Sequence, residues 1–369
     1  PRLRVYHPGR RDRLPERTEP PIYASRLGRS LMPLRLPRLP ATLVVLLAGG
    51  TGVTLVVGCA SAPDGPGGTR RDRESLASGD HTVRLRHDGR ARSYRVHLPR
   101  SIDDPAPVLL AFHGGGGNAE QFQESSRFDE HADERGYVVV FPDGTGRRGL
   151  HTWNVGGCCG AAEREGVDDV GFVRAVVDDL ARRVAIDRHR IYATGHSNGS
   201  MLAHRLGAEA TALVAAIAPY AGAPYFDILG FSPDRPLPVL HIHSVDDPRA
   251  LYDGGLGPPF PLTGVRTRMN PVEEQLDHWI RHDGCPPTPE VERTVRGEVG
   301  TFSEGHTATT LVWGPCDDGT EVRLLKLTGA GHGWPGRKLP SFRERIVGPS
   351  TAVIDIEAEI WRFVSRFSR

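Results

Sequence analysis

Lysine is nearly missing from this chain: only Lys326 and Lys338 contribute to a Lys+Arg total of 46. The arginine excess reads as genome bias rather than function. Neither sign of charge dominates, because 46 basic residues meet 45 acidic ones for a formal net charge of +1. The asymmetry that exists lies in residues 1–40, where ten arginines face only Asp12, Glu16 and Glu19. The remainder is therefore mildly acidic, which argues against nucleic acid as a partner of the folded part. No apolar run commits to crossing a membrane, since the stretch from Ala41 is broken by Gly49, Gly50 and Gly52. After residue 80 there is no repeat, no low-complexity insert and no linker, so one domain is expected. Cysteine is sparse, at five. No histidine pair stands at finger-like spacing from those cysteines, which argues against a zinc site.

The N-terminal part reads as targeting sequence. Residues 1–31 are polar, Pro-rich and aperiodic, and are expected to be unstructured or to lie upstream of a start at Met32. From Met32 the order is basic Arg35 and Arg38, an apolar stretch, then small residues ending at Cys59, as in a secretory signal. Val56-Val57-Gly58-Cys59 is similar to the lipobox of bacterial lipoproteins, in which the cysteine sulfur carries diacylglycerol. Export with a lipid anchor on the outer face of the cell membrane is expected, with an ordinary signal peptide and an incidental cysteine as the alternative, and residues 60–79 are expected to form a flexible tether. The four remaining cysteines, Cys158, Cys159, Cys285 and Cys316, are an even number in an exported chain. Cys285 with Cys316 is the preferred bridge, worth roughly 3–4 kcal/mol on the chain-entropy estimate. Cys158 and Cys159 are either a vicinal pair or free thiols.

From residue 80 onward strands and helices alternate, the mark of an α/β sheet. Thr82–Arg86 and Ser93–His97 form a hairpin about Asp88-Gly89. Val108–Phe112 and Tyr137–Phe141 are continuously apolar, as strands covered on both faces should be. Residues 119–135 read as one helix, and Asp168 caps another that runs to about Val184. Ile191–Thr194, Val214–Ala218 and Val239–His243 follow as strands. Then come a helix at Val272–His282, a last strand at Val322–Leu327 and a closing helix at about Ala352–Val364.

Three stretches carry chemistry. Gly195-His196-Ser197-Asn198-Gly199 stands between a strand and a helix, the setting of a nucleophile elbow with Ser197 at its apex. His113-Gly114-Gly115-Gly116-Gly117-Asn118 leaves a buried strand, where backbone N–H groups can approach a substrate oxygen without an intervening Cβ. Gly115 or Gly116 is expected to pair with Asn198 as an oxyanion hole. Asp246-Asp247-Pro248 and Gly331-His332-Gly333 each follow a strand. The chain order Ser197, aspartate, His332 is the one expected of an α/β-hydrolase with a mostly parallel sheet and helices on both faces. His241 and His243 share a strand face but lack a third ligand for a metal.

The chain from about 80 to 369 resembles the secreted esterase family that includes polyhydroxybutyrate depolymerases and bacterial feruloyl and acetylxylan esterases. The matching segments are His113–Asn118, Thr152-Trp153-Asn154 with Cys158-Cys159-Gly160, Val167–Phe172, Gly195–Gly199, Asp247-Pro248 with Tyr252 and Gly254-Gly255, Trp279 with Cys285, and Gly331–Gly336. With its exported cysteine it looks like the actinobacterial lipoprotein esterases of that family. The resemblance implies Ser197 as nucleophile, His332 as base and Asp247, directly before the proline, as acid. Ser244-Val245-Asp246-Asp247 departs from the usual Gly-Thr-Ala-Asp of relatives. It implies an ester hydrolase that works through an acyl-enzyme on a small or polymeric ester. The side chains supply both nucleophile and proton shuttle, so no cofactor is implied, and a monomer is expected. Trp153 and Trp334 are candidates for lining the acyl or alcohol pocket, with core packing as the alternative. A serine peptidase on the same fold and a non-catalytic surface-anchored binding protein are the rival readings.

Overall fold

The computed structural model describes residues 75–260 and 264–369. The expectations for residues 1–59, including the lipobox and Cys59, and for nearly all of the tether lie outside the described residues. Leu76 already packs on the core, its N–H donating to the Arg183 carbonyl.

The principal sheet is built from β1 (Gly79–His87), β2 (Arg90–Leu98), β3 (Ala106–Phe112), β4 (Val138–Pro142), β5 (Ile186–His196), β6 (Ala216–Tyr220), β7 (Val239–Ser244), β8 (Glu290–Arg296), β9 (Thr307–Trp313) and β10 (Val322–Thr328). Across the sheet they lie in the order β1-β2-β4-β3-β5-β6-β7-β10-β9-β8. The inner strands β4, β3, β5, β6, β7 and β10 are mutually parallel, and antiparallel strands close both edges. The sequence dictates this division. Val108, Leu110 and Phe112 enter one core while Leu109 and Ala111 enter the other, so β3 must be covered on both faces. Each such Leu or Phe side chain removed from water contributes about 1.5–3 kcal/mol before entropy is charged against it. By contrast β8 alternates Glu290-Val291-Glu292-Arg293, and most of it is exposed, as suits an edge.

The order of crossovers positions the site. From β3 the chain moves to β4 on one side, then returns across β3 to β5 on the other. The crevice at this reversal lies between the carboxyl ends of β3 and β5, where Phe112 pairs with Gly195. Helices Asp169–Leu180, Asn198–Glu209, Val272–His282 and Ile356–Val364 cover the sheet. Asp168 does cap its helix, its carboxylate accepting from the Gly171 N–H at 2.8 Å.

Three elements differ from expectation. The helix expected over 119–135 is two, Ala119–Ser125 and Phe128–Arg135. In one straight helix, residues six apart stand about 120° apart around the axis; the break lets both Phe122 and Phe128 meet Trp334. The closing helix starts later, at Ile356, where the Asp355 carboxylate accepts from the Ala358 N–H. Strands β8 and β9 carried no expectation, because their charged and hydroxyl-bearing residues hide the alternation.

Candidate active site

Strand β5 ends at His196 and the helix Asn198–Glu209 begins two residues later. Ser197 makes that reversal alone, at φ 56° and ψ −116°, a backbone region that costs a side-chain-bearing residue about 1–3 kcal/mol. Its neighbours must be glycine for lack of space. A Cβ on Gly199 would sit 2.3 Å from the Phe112 carbonyl oxygen, and one on Gly195 would sit 2.5 Å from the Gly199 backbone. The elbow is thus pressed against the end of β3.

Two further strand ends bring their groups to Ser197. His332, in the loop after β10, has Nε2 2.9 Å from Ser197 Oγ. Its Nδ1 lies 2.7 Å from Asp247 Oδ2, in the loop after β7. The other oxygen of Asp247 accepts from the backbone N–H groups of Arg249 (2.7 Å) and Ala250 (2.9 Å). Asp247 is almost wholly buried, and that burial alone would favour the protonated acid. The adjacent His332 imidazole and its hydrogen bond, with lesser help from His243 and the Arg249 amide, outweigh burial and hold the carboxyl below its ordinary range. Asp246 is exposed and engaged elsewhere, its Oδ2 accepting from the Gly329 N–H at 2.7 Å. Of the two neighbouring aspartates, only Asp247 touches His332.

The glycine loop is folded against this group. The Gly116 N–H donates to the His151 carbonyl at 2.8 Å, so of the two expected donors that one is already engaged. Gly115 abuts Asn198, since a Cβ placed on it would meet the Asn198 Cβ at 3.5 Å. The Asn198 N–H opens a helix and lies outside the intrahelical ladder. Beneath the loop, His113 Nδ1–H donates to Gly114 O (2.9 Å) and Nε2 accepts from the Gly144 N–H (3.0 Å). Burial lowers its pKa to about 4, so the ring stays neutral and both nitrogens are occupied.

His113, Asp143 and His151 come close enough to hold a metal ion, as do Asp80, His97 and Asp129. In the first group, however, His113 has no free lone pair, and Asp143 Oδ1 already accepts from the Ala119 N–H and contacts His151. In the second, His97 is bonded to Asp80 at 2.8 Å and Asp133 at 3.3 Å. Hydrogen bonds account for both groups.

The two tryptophans separate. Of the two readings of Trp153, its surroundings fit core packing: its ring is fully buried, its Nε1–H donates to the His113 carbonyl (2.9 Å), and its backbone is clamped by the Asn198 side chain. Trp153 is a prop under the glycine loop. Trp334 is partly buried, with Nε1–H donating to Glu357 (2.8 Å) and its ring edge-on to Phe122 and Tyr220. Cys285 and Cys316 are bonded, and Cys158 and Cys159 form a vicinal pair.

One contributor had no expectation attached. His196 Nε2–H donates to the His332 carbonyl at 2.7 Å, while burial depresses its pKa to about 3. It pins the histidine loop as a neutral donor. Its place inside the elbow motif was visible in sequence, but the distant carbonyl it reaches was not.

A parallel sheet with this strand order, a strained serine at the crossover crevice, and an imidazole and carboxylate delivered from later strand ends define an α/β-hydrolase. Residues 92–257 match the model of the esterase PHB depolymerase family. Among characterised proteins, the chain is 28% identical over 284 residues to a bifunctional acetylxylan esterase/xylanase of Neocallimastix patriciarum. It is 29% identical over 238 residues to feruloyl esterase B of Piromyces equi, and 26% identical over 260 residues to feruloyl esterase B of Thermothelomyces thermophilus. These alignments cover 77%, 62% and 64% of this chain, and 34%, 40% and 82% of the respective relatives. The chain therefore spans well under half the length of the first two.

Proposed function

We propose that this protein is a serine carboxylic-ester hydrolase acting through an acyl-enzyme. The observation that carries the reading is the continuous line from Ser197 Oγ through the His332 ring to Asp247, at 2.9 and 2.7 Å. His332 takes the Ser197 proton as Oγ attacks the ester carbonyl, then returns it to the departing alcohol. Asp247, held ionised, fixes the Nδ1–H tautomer of His332 and stabilises the imidazolium that forms. The Gly115 and Asn198 amides receive the developing oxyanion, each such donor typically contributing about 10²–10³ in rate. Water then attacks the acyl-enzyme by the same proton route reversed. The esters named in the relatives, acetylated xylan and feruloyl conjugates, together with hydroxybutyrate polymers, are the substrate classes to test. Trp334 is the aromatic candidate for contact with them. Two cysteine pairs support an oxidising compartment, and the Met32–Cys59 segment supports export with Cys59 acylated, which mass spectrometry of the mature N-terminus tests.

Hydrolysis of a p-nitrophenyl ester compared with its matched anilide decides between esterase and peptidase. Faster ester turnover, abolished in Ser197→Ala, is expected. Faster anilide turnover, or undiminished ester turnover in the variant, overturns the reading. Hydroxybutyrate oligomers, methyl ferulate and acetylated xylan then rank the substrates.

A further inference from the structure

Four buried polar side chains outside the Ser197–His332–Asp247 line are joined end to end. Trp279, on the helix Val272–His282, directs Nε1–H to His204 Nδ1 at 3.2 Å. His204 lies two turns along the helix that starts behind Ser197, and its Nε2 is 3.0 Å from His241 Nδ1. His241 and His243 share one face of β7, with Nε2 of the first 3.0 Å from Nδ1 of the second. His243 Nε2 ends the line at the Ala250 carbonyl, 2.8 Å away, and stands 3.6 Å from Asp247 Oδ2.

The direction of every bond follows from the first. An indole nitrogen can only donate. His204 Nδ1 therefore accepts, so its proton sits on Nε2 and points at His241. The same logic places the proton on Nε2 of His241 and then of His243, whose N–H meets a carbonyl, which can only accept. A second proton on any ring would set two N–H groups against each other. Burial disfavours the charged form of all three rings, in agreement with that constraint. With all six ring nitrogens engaged, no lone pair remains for a metal.

We infer that Trp279, His204, His241 and His243 form a one-way hydrogen-bond relay that holds the Asp247 loop in place, making them positioning residues for the reaction proposed above. The last link is a short circuit of contacts. His243 holds the Ala250 carbonyl, while the Ala250 N–H holds Asp247 Oδ1. The His243 N–H also faces the oxygen of Asp247 that binds His332. Because His204 rides on the nucleophile helix, the relay links the element carrying Ser197 to the loop carrying Asp247 through the interior. Apolar side chains would fill this part of the core equally well but would leave Ala250 unheld.

Imidazole-labelled NMR on the unaltered protein tests the relay without reference to activity. Three histidines in the neutral Nε2–H form, not titrating between pH 5 and 8, are expected at 204, 241 and 243. An Nδ1–H tautomer or a titration in that window at any of the three overturns the relay. In His243→Leu, kcat on a p-nitrophenyl ester should fall about tenfold to a hundredfold with KM unchanged, as expected when a catalytic group is slightly misplaced. His243→Gln, which keeps an N–H near the Nε2 position, should recover much of the loss. Parental kcat in His243→Leu contradicts a positioning role. Should that variant not fold, Trp279→Phe removes the partner of His204 Nδ1 alone, so the His204 Nδ1 resonance is expected to shift while the Ala250 carbonyl keeps His241 and His243 in the Nε2–H form; an Nδ1–H tautomer at His241 or His243 in this variant, or an unchanged His204 resonance, counts against the relay. Activity surviving in Ser197→Ala would remove the esterase reading while leaving the NMR result to judge the relay.

Discussion

The rim where the parallel strands end and the antiparallel ribbon β8–β9 are built by opposite rules. At the rim, backbone presses on backbone: Gly195, Gly199 and Phe112 leave no room for one added carbon, and Asp247, His243 and His204 are buried polar groups with every contact assigned. In the ribbon, Val291 and Val299 are exposed, and a Cβ on Gly300 would meet nothing within 4 Å. Both regions are continuous with one sheet. The difference lies in how far each position constrains its residue, and that is where function is expected to be sensitive.

The largest contrast should come from the adjacent aspartates. Asp247→Asn removes the charge that orients His332 and should lower kcat by about 10⁴-fold. Asp246→Asn changes only a bond to the Gly329 amide on the exposed side and should alter kcat less than about threefold. Comparable losses in the two variants would erase the distinction. Glycine substitution gives the next contrast. Gly199→Ala drives a Cβ into the Phe112 carbonyl and should cost about 3 kcal/mol or more by urea denaturation, whereas Gly300→Ala, at φ 79° in open space, should cost about 1–2 kcal/mol.

Trp153→Phe sharpens the comparison within the rim. It leaves the buried His113 carbonyl without its indole donor, at about 1–3 kcal/mol. If Trp153 acts as a prop under the glycine loop, kcat/KM should fall by the same factor for acetyl, butyryl and feruloyl esters. A changed order of preference would return Trp153 to the pocket. The smallest effect belongs to the other edge of the sheet. Burial works against charge on His97, but bonds to Asp80 and Asp133 and the nearby Asp129 carboxylate raise its pKa. A raised folded-state value means the contribution is full below the unfolded pKa, about 6.5, and is lost as pH rises through the folded value. His97→Gln should remove that loss between pH 6 and 8, a change below about 1 kcal/mol after solvent screening.

The rim was also the more legible region. Ser197 and His332 could be read because each stands among glycines directly after an apolar strand, and chain order linked them. Asp247 needed the resemblance, since the two aspartates differ only in which way a turn directs them. Trp153 was ambiguous because an aromatic residue beside a glycine loop suits a pocket and a prop equally. The histidine relay had no local signature: His241 and His243 announced a shared face, but His204 reaches them from a helix 37 residues away from His241. The ribbon is hard to see in sequence because an edge strand bearing Glu, Arg and Thr lacks the apolar run that betrays an inner one.

The most direct measurement is site mapping of a fluorophosphonate adduct by peptide mass spectrometry, on the unaltered protein and on His332→Gln. A single adduct on Ser197, formed at least about a hundredfold more slowly in the variant, is the predicted result. Labelling at another residue, or a Ser197 rate indifferent to His332, would contradict the account.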